Sequence, residues 1–114
     1  MILNIYIADS AYKIDVPREV LEDGEDFYTR MDLDMDKGWQ MSRTYVEYPN
    51  TLQRCQIAAD KIFSALHTDN KHLALLMAGY ILTRLPGIEG VRLDTNGEIS
   101  NTEVIMAAGT ETNP

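Results

Sequence analysis

Cysteine occurs once in this 114-residue chain, at Cys55. A single thiol excludes an intrachain disulfide and a multi-cysteine zinc site. Apolar residues never run on for the roughly 18 positions that a membrane-crossing helix needs. Histidine occurs twice, at His67 and His72. Their spacing of five is not the i,i+4 spacing of a helical zinc pair. Glycine-rich phosphate loops are missing, since Gly87 and Gly90 are too few and follow a helical pattern. No Gly-x-Ser-x-Gly or comparable nucleophile motif occurs. The opening stretch MILNIYIADS has no basic segment before its apolar run and no small-residue cleavage site, so it reads as a strand and not as a signal peptide. Without disulfides the expected compartment is the cytoplasm.

Positive charge is also scarce. Ten Lys and Arg stand against eighteen Asp and Glu, for a net charge of −8. No basic stripe is available to release counterions from phosphates, which argues against nucleic acid as a partner. An anionic membrane surface is disfavoured for the same reason. The negative charge is unevenly spread. Residues 19–36 carry eight acids against Arg30 alone, a net −7, whereas residues 37–98 carry six acids and seven bases.

What is present is an ordinary globular composition, 45% apolar and 25% charged. The length suits a single domain, expected over 1–106, with AAGTETNP at 107–114 as a flexible tail. Leu3, Ile5 and Ile7 alternate with polar residues, as do Tyr12, Ile14 and Val16. A four-residue loop at Ala8–Ala11 pairs Ile7 with Tyr12, Ile5 with Ile14 and Leu3 with Val16, all on one face of a hairpin over about 2–16. Pro17 then opens a helical segment over about 17–37. Gly24 is a break or kink in it, with Asp23 as a candidate cap. Val20, Phe27, Met31 and Met35 form its apolar line.

Residues 42–48 are ambiguous between strand and loop. Asn50 and Gln53 form a candidate capping box for a second helix over about 50–67. Its stripe is Leu52, Cys55, Ala59, Ile62 and Leu66, widened by Phe63. Asp69 or Asn70 caps a third helix over about 70–85, ended by Pro86 and Gly87. Its LALLMAGYIL core is apolar on every side, so it is either central or covered by a second copy of the chain, which makes a homodimer a candidate. VRLDTNGEIS predicts a second hairpin over about 91–106, with Gly97 left-handed and Leu93 opposite Ile99. The expected fold class is α+β: two hairpins packed with three helices, the third helix central.

The stretch MDLDMDKGWQMS carries Asp32, Asp34 and Asp36 at alternate positions. A calcium loop starting at Asp32 needs glycine at its sixth position and glutamate at its twelfth, where Lys37 and Arg43 stand. A helix end fits better, with Lys37 as C-cap, Gly38 left-handed and Trp39 packed on Leu33. Carboxylates in a last helical turn oppose the helix dipole by about 0.3–1 kcal/mol each. Arg30 offsets Asp26 and Asp34, but Asp32 and Asp36 repel each other without a partner on their own line, and Glu25 adds to that face. Such local conflict marks candidate functional sites.

Other chemistry is poorly supported. Cys55 lies on an apolar stripe, and His67, twelve residues on, is about 18 Å away along one helix. His67 is better placed to close the end of that helix. Trp39, Tyr45 and Tyr48 are of the types enriched at interfaces. The expected function is therefore a non-enzymatic cytosolic adaptor or regulator without a cofactor. Its basic protein partner would be held by Glu25, Asp32, Asp36, Trp39, Tyr45 and Tyr48. The rival expectation is a small ligand- or divalent-metal-binding protein, or an enzyme, using the Asp32/Asp36 face.

Overall fold

The computed structural model describes residues 1–107. The predicted flexible tail, Ala107 apart, lies outside the described residues. The fold is α+β, with four helices and two sheets among the described residues. In chain order the elements are β1 (Ile2–Ile7), β2 (Ser10–Asp15), α1 (Arg18–Asp23), α2 (Glu25–Asp36), β3 (Trp39–Met41), β4 (Thr44–Val46), α3 (Thr51–His67), α4 (Lys71–Arg84), β5 (Ile88–Leu93) and β6 (Glu103–Met106). A short 3-10 turn, Ile99–Asn101, precedes β6. No helix among the described residues is long and apolar enough to cross a membrane.

The main sheet has the order β2-β1-β5-β6. Its central pair, β1 and β5, is parallel, while the outer pairs are antiparallel. A parallel pair needs a long crossover, and all four helices lie in the chain between these two strands. Leu3, Ile5, Val91 and Leu93 are buried, and the pairing sets Ile5 beside Val91 and Ile7 beside Leu93. The intervening positions carry polar side chains, with the Arg92 guanidinium 5.2 Å from the Tyr6 ring centre. Gly90 is required by space, since a Cβ there would stand 2.6 Å from the Asn4 carbonyl oxygen.

The first hairpin forms with a different register from the one expected. Its turn has two residues, Ala8 and Asp9, so Ile7 faces Ser10, Ile5 faces Tyr12 and Leu3 faces Ile14. Ala8 takes a positive φ of 53°, which a tight turn matching the strand twist demands. The shift of two positions keeps every side chain on its face. It leaves Val16 beyond β2, where it is buried and its N–H donates to the Met1 carbonyl. The second hairpin also departs from expectation. Arg92 faces Glu103, and residues 94–102 form a long connection in place of a tight turn at Gly97. Gly97 does have a positive φ of 81°. Ser42 ties the connection down by donating to the Gly97 carbonyl and accepting from the Ile99 N–H. Those bonds satisfy backbone groups that would otherwise seek a strand partner.

The predicted first helix is two helices, divided at Gly24. Asp23 does not cap the second one, whose N-cap Gly24 has no side chain to do so. The ring of Tyr28 occupies the space beside Gly24, where a Cβ would stand 2.9 Å from the ring. This rotates the inward face of α2. Tyr28 and Met35 are fully buried, whereas Phe27, expected on the inner line, is exposed. The capping box of α3 is present in both directions, between Asn50 and Gln53. Leu52, expected on the apolar stripe of α3, lies on its first turn and is exposed. Asn70 caps α4 by accepting from the Leu73 N–H. α4 is central, packed against α3, α1 and β2. Within the chain, Ala74 and residues 77–82 of α4 are buried, while Leu73, Leu75 and Leu76 are half-buried.

The small β3–β4 hairpin resolves the ambiguous residues 42–48. Gly38 has the expected left-handed φ, 105°, and its N–H donates to the Met35 carbonyl. Leu33 and Trp39, expected to pack on each other, have different surroundings. Leu33 is exposed, and Trp39 opens β3 with the Lys61 ammonium 5.0 Å from its ring centre.

Candidate functional site

Glu25, Asp32 and Asp36 lie seven and four residues apart on α2, so they share one face. That face meets other helices. Arg54, on the first turns of α3, and Arg84, on the last turn of α4, both point into it. Arg54 Nη2 donates to Asp36 Oδ1 at 2.6 Å. Its Nη1 donates to the Asp32 carbonyl oxygen at 3.1 Å and to Asp32 Oδ1 at 3.4 Å. Its Nε donates to the Pro49 carbonyl at 2.8 Å. Arg84 Nε donates to Asp32 Oδ2 at 2.9 Å, and its two terminal nitrogens hold the two oxygens of Glu25 at 3.2 and 3.0 Å. One turn earlier on α4, the Tyr80 hydroxyl donates to Asp32 Oδ1 at 2.5 Å.

Asp32 is therefore the hub of a clamp joining α2 to α3 and α4. Burial acts to raise its carboxyl, but the Tyr80 hydroxyl and then Arg84 and Arg54 outweigh that and hold it below the usual carboxylate range. The Glu25 carboxyl is lowered chiefly by its bond from Arg84. Burial, reinforced by the bond to Asp32, pushes the Tyr80 phenol up, so it remains a donor. The clamp sets three carboxylates against two guanidinium groups and so keeps one negative charge in excess. Beside it opens a cleft of about 490 Å³, lined in part by Asp36, Tyr48, Arg54 and Arg84.

The arrangement answers the conflict read from the sequence. Asp32 and Asp36 do have a partner, the one guanidinium of Arg54, and it comes from another helix. Arg30, expected to offset Asp26 and Asp34, makes no ion pair among the described residues. Of the six candidate residues, Glu25, Asp32 and Asp36 come together in the clamp. Tyr48 joins its rim, with the Arg54 guanidinium 5.0 Å from its ring centre. Trp39 and Tyr45 do not join it. Tyr45 lies over Gly38 and its hydroxyl donates to the Lys37 carbonyl at 2.9 Å, closing the C-terminus of α2.

The sequence reading missed Arg54, Arg84, Tyr80 and Tyr28. A signal for two of them was present, because Tyr80 and Arg84 stand four apart on a helix whose middle is otherwise apolar on all sides. A signal for Tyr28 lay in Gly24 and Gly79. A Cβ on Gly79 would stand 2.1 Å from the Tyr28 hydroxyl. That hydroxyl is fully buried, in edge contact with Tyr80, and has no hydrogen-bond partner among the described residues.

A cation at Asp32 and Asp36 would have to displace Arg54 and Arg84 from carboxylates they already bond. Among the described residues no group of three or more His, Cys, Asp or Glu is placed to hold a metal ion. Cys55 is fully buried, and burial pushes its thiol up to about 12, the opposite of what an attacking thiolate requires. His67 Nδ1 stands 2.9 Å from the Phe63 carbonyl oxygen at the end of α3. Compared with known proteins, the chain matches no family model, no curated relative and no solved structure.

Proposed function

We propose that the protein is a non-enzymatic binding domain that engages a basic protein partner where α2 ends and α3 begins. One observation carries this reading. Leu33 on α2, Tyr45 on β4, Tyr48 beside Arg54 and Leu52 on the first turn of α3 are exposed, at 57, 56, 69 and 46%. Tyrosine and arginine are enriched at interface hot spots, and the two leucines extend the apolar surface around them. The excess negative charge of the clamp supplies the preference for a basic side chain. Arg54 engages Asp36 through Oδ1, and Asp36 remains about one-third exposed at 35%. The fitting partner presents a lysine or arginine flanked by apolar residues. Glu25 and Asp32 serve this reading indirectly, by fixing Arg54 and Arg84, and Trp39 leaves the proposed surface. A divalent cation has less support, because its ligands are already bonded to guanidinium groups.

The test is a peptide-display selection on the wild-type protein, counter-selected against Tyr48→Ser/Leu52→Ser. The double variant is first checked for an unchanged melting temperature. The expected outcome is patch-dependent clones sharing a basic residue between apolar ones, with binding weakened by salt. An acidic consensus, or clones that bind both proteins equally, would overturn the proposal.

A further inference from the structure

A second cleft, of about 350 Å³, lies between α2, the start of β3, α3 and α4, away from the clamp. Met31, Met35, Trp39 and Met77 line it, and Phe27 and Leu73 complete its apolar surface. Methionines adapt to an occupant because their side chains are flexible and polarizable. The charges on this cleft differ from those on the rest of α2. Arg30 and Lys61 line it with Asp34. Neither cation makes an ion pair among the described residues. Lys61 lies over the Trp39 ring, 5.0 Å from its centre. Asp34, one turn from Arg30, offsets one of the two positive charges. One cation is left in excess over an apolar hollow, in a chain whose net charge is −8.

We propose that this cleft binds a small carboxylate with an apolar body, its chain or ring among the methionines and its carboxylate on Lys61 and Arg30. The volume is in the range of small-molecule sites, roughly 300–1,000 Å³, where an apolar lining with a few polar groups fixes orientation. Charge complementarity selects the carboxylate over an alcohol or an ammonium with the same body. This site is separate from the partner-binding surface and does not depend on it.

Trp39 is the only tryptophan in the chain, so its emission reports the cleft directly. The experiment titrates the full chain with decanoate and decyltrimethylammonium below their micelle-forming concentrations, and with decanol below its solubility limit. It follows Trp39 emission and, in parallel, calorimetric heat. Decanoate should bind saturably and at least about tenfold more tightly than decanol, the factor worth about 1.4 kcal/mol. Lys61→Gln should bring decanoate down to the affinity of decanol, Lys61→Arg should retain it, and Asp34→Asn should tighten it. Tyr48→Ser/Leu52→Ser should leave it unchanged, which separates a failure here from a failure of the partner proposal. Equal binding of decanoate and decanol, tighter binding of the ammonium, or a Lys61→Gln variant that binds decanoate like wild type would each overturn the assignment.

Discussion

The sheet side and the α2 side of this molecule are held by different forces. At the sheet, Leu3, Ile5, Val91 and Leu93 remove apolar surface from water, and no one contact dictates the fit. At α2, only Tyr28 and Met35 are fully buried, and the helix is seated by guanidinium–carboxylate bonds and one phenol. Hydrophobic packing is non-directional, so a conservative change leaves most of it intact. A clamp of directed bonds has no partial version, because removing one member strands the others. Two tyrosines in edge contact, 5.8 Å between ring centres, stand at the boundary. Tyr80 belongs to the clamp, and Tyr28 brings its hydroxyl into the core with no partner among the described residues.

That contrast can be broken most severely at Arg54. Arg54→Met keeps the aliphatic stem of the side chain but leaves Asp36 and the Pro49 carbonyl without their donor and takes one donor from Asp32. Chemical denaturation should show a loss of about 3 kcal/mol, the low end for breaking a buried pair because Asp36 reaches solvent. The next largest effect separates the two tyrosines. Tyr80→Phe should lose about 2 kcal/mol, since it removes a bond to an ionised group. Tyr28→Phe should gain up to about 1 kcal/mol, since it removes a buried hydroxyl without a partner. Equal effects of the two substitutions would refute the distinction drawn between them.

Gly79→Ala sharpens it further. Alanine is favoured over glycine inside a helix by about 0.5–1 kcal/mol, but here the new Cβ meets the Tyr28 hydroxyl. Overpacking of about 1–3 kcal/mol should prevail and lower the melting temperature. The same change made in Tyr28→Phe should be tolerated, because the atom it strikes is gone. Additive effects of the two would show that the clash lies elsewhere.

The smallest effect is a dependence on pH. The Asp32 and Glu25 carboxyls are held lower in the folded chain than in the unfolded one. Their stabilisation is complete above the unfolded values of about 4, and is lost as pH falls through the folded values. Denaturation midpoints should therefore fall on acidification below about pH 4. Asp32→Asn, less stable at neutral pH, should fall less steeply. An acid limb equally steep in the variant would remove Asp32 from the account.

Legibility followed the range of the interaction that decides each feature. The Asn50–Gln53 capping box, the left-handed Gly38 and the alternation of β1 depend on neighbours within a few positions, and each could be read directly. The register of the first hairpin could not, because alternation alone is compatible with both a two- and a four-residue loop. The inward face of α2 was misjudged by one residue, from Phe27 to Tyr28. The deciding factor was the space provided by Gly24 and by Gly79 on a different helix. The acidic face suffered the same limit. Rules reaching three or four residues see Asp32 and Asp36 only as mutual repulsion.

By itself, then, the sequence determined the fold class, the capping box of α3, the central place of α4 and the concentration of negative charge on α1 and α2. These depend on periodicity and on local hydrogen bonding, which the chain carries wherever it goes. The tertiary structure alone decided the parallel pairing of β1 with β5 and the joining of α2 to Arg54 and Arg84, 22 and 52 residues from Asp32. A carboxylate that looks solvated in the sequence becomes the hub of a clamp only when two other helices bring their guanidinium groups within about 3 Å, and at that distance a charge-assisted bond outweighs the repulsion along its own helix.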